Sequence, residues 1–356
     1  MQDERSYISS LFGGFWQFDV KDFSYLVNPY FPPEKFMQSL TAKLDELVRS
    51  YPSTNWYISS LSAKDVGLSH EELVIGNGAS EIISAIIERY VNNMAVPVPT
   101  FDEYINRAGI QGKTVSLFQT DEQFQLDIDG FVKHVRDSGA NSALIINPNN
   151  PTGGFIPRSS VYSLLESLRS LDLVIVDESF IDFVGSDSHP SVMDRINDFS
   201  NLVIIKSLSK SYGIPGLRLG YAASSNKEII ANLRRDVPIW SINSLAQFFL
   251  EQIGNYHEEF LQSCLDVQFA TKSLYTDLTS IPYLHAYPSD GNFVLCRILA
   301  DFTASDLTDK LFNGFGILVN DCSRKKGLDG SFVRIASRTT EENIELVQAL
   351  KNIAWP

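Results

Sequence analysis

Ser207-Leu-Ser-Lys-Ser-Tyr-Gly-Ile-Pro-Gly-Leu-Arg218 gathers hydroxyls, one primary amine and one guanidinium within twelve residues. The amine of Lys210 can form a Schiff base with an aldehyde. Ser207, Ser209 and Arg218 are the donors a phosphate requires, the guanidinium acting as a planar fork. A small molecule that carries both an aldehyde and a phosphate is described by pyridoxal 5'-phosphate. The plainer alternative is a strand followed by a Gly/Ser turn with a surface lysine, and this segment alone leaves it open.

Other residues narrow the choice. Asp177 follows the apolar run Leu173-Val-Ile-Val176, where a carboxylate is costly unless paired. A pyridinium N–H is a natural partner, and the pair keeps the ring electron-withdrawing; the competing role is a helix N-cap. Glu72-Leu-Val-Ile-Gly-Asn-Gly-Ala-Ser-Glu81 reads as a strand, a glycine turn and a helix start. Backbone N–H groups at Gly78, Ala79 and Ser80 would then bind a phosphate. Gly76 and Gly78 could also open a dinucleotide fingerprint, but Glu81 occupies the third glycine's place. Asn147-Pro-Asn-Asn-Pro-Thr-Gly153 has the composition of a rigid turn, with Asn150–Pro151 a candidate cis bond. Arg334 lies inside the strand-like run Phe332-Val-Arg-Ile335 and needs an anion, either a substrate carboxylate or a local acid. Ser207-x-x-Lys210 has the form used in acyl transfer, but its companion motifs are absent. His70, His134, His189, His257 and His285 show no ligand spacing, so no metal is expected.

Elements must hold these groups together. Leu144-Ile-Ile146, Leu173-Val-Ile-Val176 and Leu202-Val-Ile-Ile205 are apolar runs about thirty residues apart, the spacing of strand-helix-strand units with strands buried on both faces. Each ends in polar residues, and ligands in open α/β sheets sit outside the carboxyl ends of the strands. The chain has 356 residues, enough for two domains. Residues 36–255 read as a large α/β domain with a mostly parallel sheet flanked by helices. Residues 1–35 and 256–356 read as an N-terminal arm and a small α+β domain, joined by a long helix from Ala246 to about Leu278. The net charge of −14 argues against nucleic acid or an anionic membrane as partner. Three scattered cysteines, an acidic polar start and no apolar run of spanning length suit a reducing cytoplasm.

In their order, Asn150, Asp177, Lys210 and Arg334, these motifs resemble the class I and II aminotransferases of fold type I. The chain is most similar to the branch holding histidinol-phosphate aminotransferases and threonine-phosphate decarboxylases. The resemblance implies that Lys210 carries the cofactor and moves protons, and that Asp177 meets the ring nitrogen. Asn150 would donate to the ring 3-oxygen. Tyr104, in Pro99-Thr-Phe-Asp-Glu-Tyr104, would stack on the ring. Tyr51 would reach the cofactor phosphate of a neighbouring subunit, making the protein a homodimer. Arg334 would grip the substrate α-carboxylate, with Asn28, Asn320 and Arg338 also facing the substrate, a small molecule that is an amino acid or resembles an amino-acid phosphate.

The chain departs from that pattern at three places. Phe180 stands where such aminotransferases carry a tyrosine that donates to the ring oxygen, Asn320 where both relatives carry an arginine for the substrate phosphate, and Phe12 in place of a histidine. Transamination, the commoner activity, is the first expectation. Decarboxylation of a phosphorylated amino acid is the alternative, supported by Asp177-Glu-Ser-Phe-Ile-Asp-Phe183 and Pro238-Ile-Trp-Ser-Ile-Asn243.

Overall fold

The computed structural model describes residues 4–11, 13–185 and 190–353. Phe12 and His189 fall outside them. Among the described residues twelve strands form two sheets: β1 (Lys21–Phe23), β2 (Leu73–Asn77), β3 (Asn93–Val98), β4 (Thr114–Gln119), β5 (Ser142–Ile146), β6 (Leu173–Asp177), β7 (Leu202–Ser207), β8 (Leu219–Ala223), β9 (Leu284–Ala286), β10 (Phe293–Ile298), β11 (Ile317–Asp321) and β12 (Phe332–Ala336).

The larger sheet runs β2-β8-β7-β6-β5-β3-β4. The pairs from β7 through to β4 are parallel, while β8 is antiparallel to both β7 and β2. β5 and β6 are buried at every position, which is why both read as unbroken apolar runs. Apolar clusters cover both faces. One includes Phe131, Leu164 and Phe199; the other includes Ile83, Ile86 and Ile230. The sheet is therefore the middle layer of a helix–sheet–helix sandwich, the fold-type I architecture.

The smaller sheet runs β1-β11-β12-β10-β9 and is antiparallel except for β1 with β11. Its apolar face is closed by the helices His257–Thr279, Ala304–Phe315 and Thr340–Asn352 through Leu274, Leu307 and Leu346. Both of the last two helices begin with a complete capping box, from Thr303 with Asp306 and from Thr339 with Glu342.

The single long connecting helix expected from Ala246 is interrupted. A helix Ser244–Gln252 passes through a 3-10 turn, Ile253–Tyr256, before a second helix, His257–Thr279. Gly254 lies in that turn, and a glycine inside a helix costs about 1 kcal/mol relative to alanine. Glu258 and Glu259 then favour a fresh N-terminus. Among the described residues no helix is long and apolar enough to cross a membrane.

Candidate active site

Three neighbouring parallel strands deliver their ends to one place. β6 ends in Asp177, β7 leads into the short helix Leu208–Ser211 that carries Lys210, and β5 runs into the Asn147–Gly153 turn. The Asp177 carboxylate is almost fully enclosed. Its Oδ1 accepts from the Ser179 N–H at 2.9 Å and the Ser179 hydroxyl at 2.6 Å, and its Oδ2 accepts from the Tyr104 hydroxyl at 2.8 Å. Burial raises its pKa, opposed by those bonds and by the Lys210 charge. Ser179 also accepts from the Ser207 N–H at 2.9 Å, which ties the ends of β6 and β7 together. The Asp-x-Ser spacing of 177 and 179 is the sequence signal for this turn, although Asp177 alone drew attention there.

Lys210 is partly buried. Burial and the nearby Arg334 and Arg218 cations lower its amine to about 8, against the pull of Asp177. The free-amine form is therefore within reach near neutral pH, as a nucleophile or base requires. The position of its turn is fixed by Asn28. The Asn28 N–H donates to the Lys210 carbonyl at 2.8 Å, and its amide donates to the Ser211 carbonyl and to Ser263 Oγ, each at 2.8 Å. Its Oδ1 accepts from the Tyr30 N–H at 2.9 Å. Asn28 was expected to face substrate; instead it is buried, its side chain is fully engaged, and it braces the lysine turn.

The phosphate cradle is assembled from β2, β7 and β8. The helix Ala79–Tyr90 starts after Gly78, whose φ is +71°. A Cβ on Gly78 would lie 2.3 Å from the Arg218 guanidinium, so a side chain is excluded where that fork approaches. Gly220 is similarly forced, since its Cβ would lie 2.4 Å from the Ala79 nitrogen. Arg218 itself adopts a left-handed backbone conformation (φ 60°), a cost of about 1 kcal/mol that marks a functional position. Ser209 Oγ is buried with no hydrogen-bond partner among the described residues, while Ser80 is exposed at the helix start.

Across from this stands β12. The Arg334 guanidinium donates to Asn150 Oδ1 at 2.7 Å and to the Ser24 carbonyl at 2.6 Å, and its Nε is buried without a partner among the described residues. With its Oδ1 taken by Arg334, Asn150 keeps its NH2 as a donor. The Asn150–Pro151 bond is cis. The turn is knitted to its neighbour by Asn149, which donates to the Pro99 carbonyl at 2.8 Å and accepts from the Thr100 hydroxyl at 3.1 Å.

Two further expectations need correction. Tyr104 has 0% of its surface exposed, so no ring can lie against it; it serves Asp177 through its hydroxyl. Phe101, 6.5 Å away between ring centroids and 36% exposed, is the aromatic with a free face at this strand end. Arg338 donates to the Asp22 carbonyl at 2.9 Å and to Glu342 at 2.8 Å, tying β1 to the last helix rather than reaching into the cleft. Tyr51 lies outside the cluster, 79% exposed and packed on Trp240 at 4.5 Å. Asn320 stands opposite Arg334 in the β11–β12 register.

The donors present suit pyridoxal phosphate. An orphaned buried hydroxyl at Ser209, a glycine-lined cradle beside Arg218 and a lysine amine of lowered pKa match a phosphate at one end and an aldehyde at the other. Fold and site define a fold-type I enzyme that uses pyridoxal 5'-phosphate. The chain belongs to the aminotransferase class I and II family, whose profile matches residues 44–350. It is 35% identical over 99% of its length to the CMP-5'-(3-aminopropyl)phosphonate synthase of Streptomyces rubellomurinus, and spans 56% of that relative. It is 31% identical to the L-serine phosphate decarboxylase of Campylobacter jejuni, covering 93% of this chain and 88% of the other. The histidinol-phosphate aminotransferase of Clostridium acetobutylicum superposes with a TM-score of 0.85 at 30% identity, covering 93% of this chain and 98% of that one.

Proposed function

We propose that the protein is a pyridoxal-phosphate-dependent decarboxylase of an α-amino acid, with transamination as the second reading. The observation that carries the choice is Phe180. It is buried at the end of β6, edge-on to Phe293 at 5.2 Å between centroids, and it offers no hydroxyl where aminotransferases of this branch have one. Asn150 is then the donor left for the ring oxygen. L-serine phosphate decarboxylases among the relatives support this reading, and histidinol-phosphate aminotransferases among them support the second.

When bound, the cofactor supplies an electron sink for charge at the substrate α-carbon. The Lys210 amine would be its covalent anchor and Asp177 the acceptor for its ring N–H. Ser207, Ser209, Arg218 and the N–H groups following Gly78 would hold its phosphate, and Phe101 would cover its ring. Arg334, held flat by Asn150 and Ser24, binds the α-carboxylate with its remaining donors. In decarboxylation the bond between Cα and the carboxylate breaks, CO2 leaves, and a proton is returned to Cα; Lys210 is placed to deliver it.

We also propose a homodimer. Tyr51, Trp240 and Ile239 form an exposed apolar patch, 79%, 51% and 75% exposed, with Trp240 held at a φ of 58°. Sedimentation at micromolar concentration tests this, and a fully active monomer rejects it.

The deciding experiment incubates the cofactor-loaded protein with candidate amino acids and scores CO2 against keto acid. CO2 with amine product supports decarboxylation; stoichiometric keto acid with an amino acceptor establishes the second reading instead.

A further inference from the structure

Asn320 lies opposite Arg334 across the β11–β12 pair, and Leu295 of β10 lies opposite Arg334 on its other side. Residues opposed in this way project from the same face of a sheet. Asn320 therefore stands beside the carboxylate-binding arginine, one strand further from Asn150. Cys322 is two residues on, with its thiol in a buried cluster with Tyr287, Leu295 and Phe332. Its Sγ donates to Asn320 Oδ1 at 3.5 Å. Burial pushes that thiol up to about 11, so it stays protonated and remains a donor at neutral pH. With Oδ1 engaged, the N–H groups of Asn320 are the free end of the side chain, and they meet no partner among the described residues.

The cations around this position are neutralised or turned away. Lys325 pairs with Asp102, the first residue of the helix that follows Phe101. Arg338 is committed to the Asp22 carbonyl and Glu342. Arg324 is exposed on the loop surface. Lys326 is likewise exposed, and Lys210 and Arg218 belong to the cofactor's aldehyde and phosphate, so beside Asn320 the cation that faces the cleft is Arg334.

We propose that Asn320, oriented by Cys322, selects an α-amino acid whose side chain ends in a singly charged, esterified phosphoryl or phosphonyl group over one that ends in a free phosphomonoester. A free phosphomonoester carries about −1.5 to −2 charges at pH 7. Bringing two charges out of water needs a matching cation, whereas a single charge spread over two oxygens can be met by amide donors. That the group contains phosphorus rests on the decarboxylase reading and on the relatives' names, one an L-serine phosphate decarboxylase and one a synthase of a CMP-linked aminopropylphosphonate. The charge state rests on the side chains around Asn320. Cys322 is a positioning residue, acting through the Asn320 amide.

The test uses the cofactor-loaded protein at about pH 8, where a free phosphomonoester is close to doubly charged. kcat/KM is measured for O-phospho-L-serine, its phosphate methyl ester and L-glutamine. Calorimetry gives the affinity for the corresponding amines, phosphoethanolamine and its methyl ester. The ester is expected to be preferred about tenfold or more in both measurements. Asn320→Arg should improve the free phosphate by about ten- to hundredfold and change the ester less. Cys322→Ala should narrow the discrimination and Cys322→Ser, which keeps a donor, should retain it. Equal or better use of the free phosphate by the unaltered protein, a preference for glutamine, or an Asn320→Arg effect that is the same for both phosphates would overturn the proposal. If no amino acid is decarboxylated, the earlier reading fails, and the calorimetric preference between the two amines still decides this one.

Discussion

At the ends of β5, β6 and β7 the polar groups are bonded to one another: Asp177 to Tyr104 and Ser179, Ser179 to Ser207, Asn149 to Pro99 and Thr100. On the facing surface of β11 and β12, Arg334 leaves its Nε unpartnered and Asn320 leaves its amide hydrogens free. Arg334 Nε is buried, as is the unpartnered Ser209 Oγ of the phosphate cradle, whereas the Asn320 side chain is half-buried; a buried unpaired polar group is expensive, so a protein keeps it where a ligand will satisfy it. On the reading proposed above, the bonded groups of the larger sheet form a preorganised floor for the cofactor, and the smaller sheet offers donors to the substrate.

Changes to the floor should be felt in the rate and changes to the opposite wall in affinity. Lys210→Ala should abolish turnover, and borohydride treatment followed by peptide mapping should find no fixed cofactor; retained label elsewhere would relocate the anchor. Asp177→Asn keeps the shape but removes the charge, and kcat should fall by several orders of magnitude with the cofactor still bound. A loss within tenfold would reduce Asp177 to a structural role. Arg334→Gln should raise KM by about ten- to hundredfold, the worth of a charge-assisted contact, with a smaller change in kcat. A reversed split between KM and kcat would erase the distinction between the two surfaces.

The fourth prediction concerns pH. Lys210 titrates near 8, and its charged form cannot attack an aldehyde. Capture of pyridoxal phosphate by the cofactor-free protein, followed by absorbance, should therefore accelerate as pH rises to about 8 and level off above it. An acceleration continuing to the ordinary lysine range would show that burial and the two arginines do not act on this amine. The smallest effect is expected from Tyr104→Phe. It removes one of three bonds to Asp177 and should cost about 1 kcal/mol of stability, read from the denaturation midpoint, with kcat changed less than about tenfold.

The same contrast explains what the chain revealed before its structure was known. Leu144–Ile146, Leu173–Val176 and Leu202–Ile205 announce themselves because central parallel strands are apolar on both faces. β1 and β9 do not, being three residues long, too short for a period to register. Lys210 and Asp177 follow from strand ends and residue type. Which aromatic faces the cofactor does not, because Phe101 and Tyr104 sit three residues apart at one helix start and only packing decides between them. Asn28 and Arg338 have the right chemistry for substrate, yet several of their partners, the carbonyls of Lys210, Ser211 and Asp22, are backbone groups that no side-chain motif advertises.

The brace at Asn28 has a kinetic consequence. It joins residues separated along the chain by 183 positions at Ser211 and 235 at Ser263. Closing loops of that length is entropically costly and is deferred until nearer contacts have formed. During refolding, helical signal should return first, and competence to capture the cofactor should follow only when the amino-terminal segment has come home to the lysine turn.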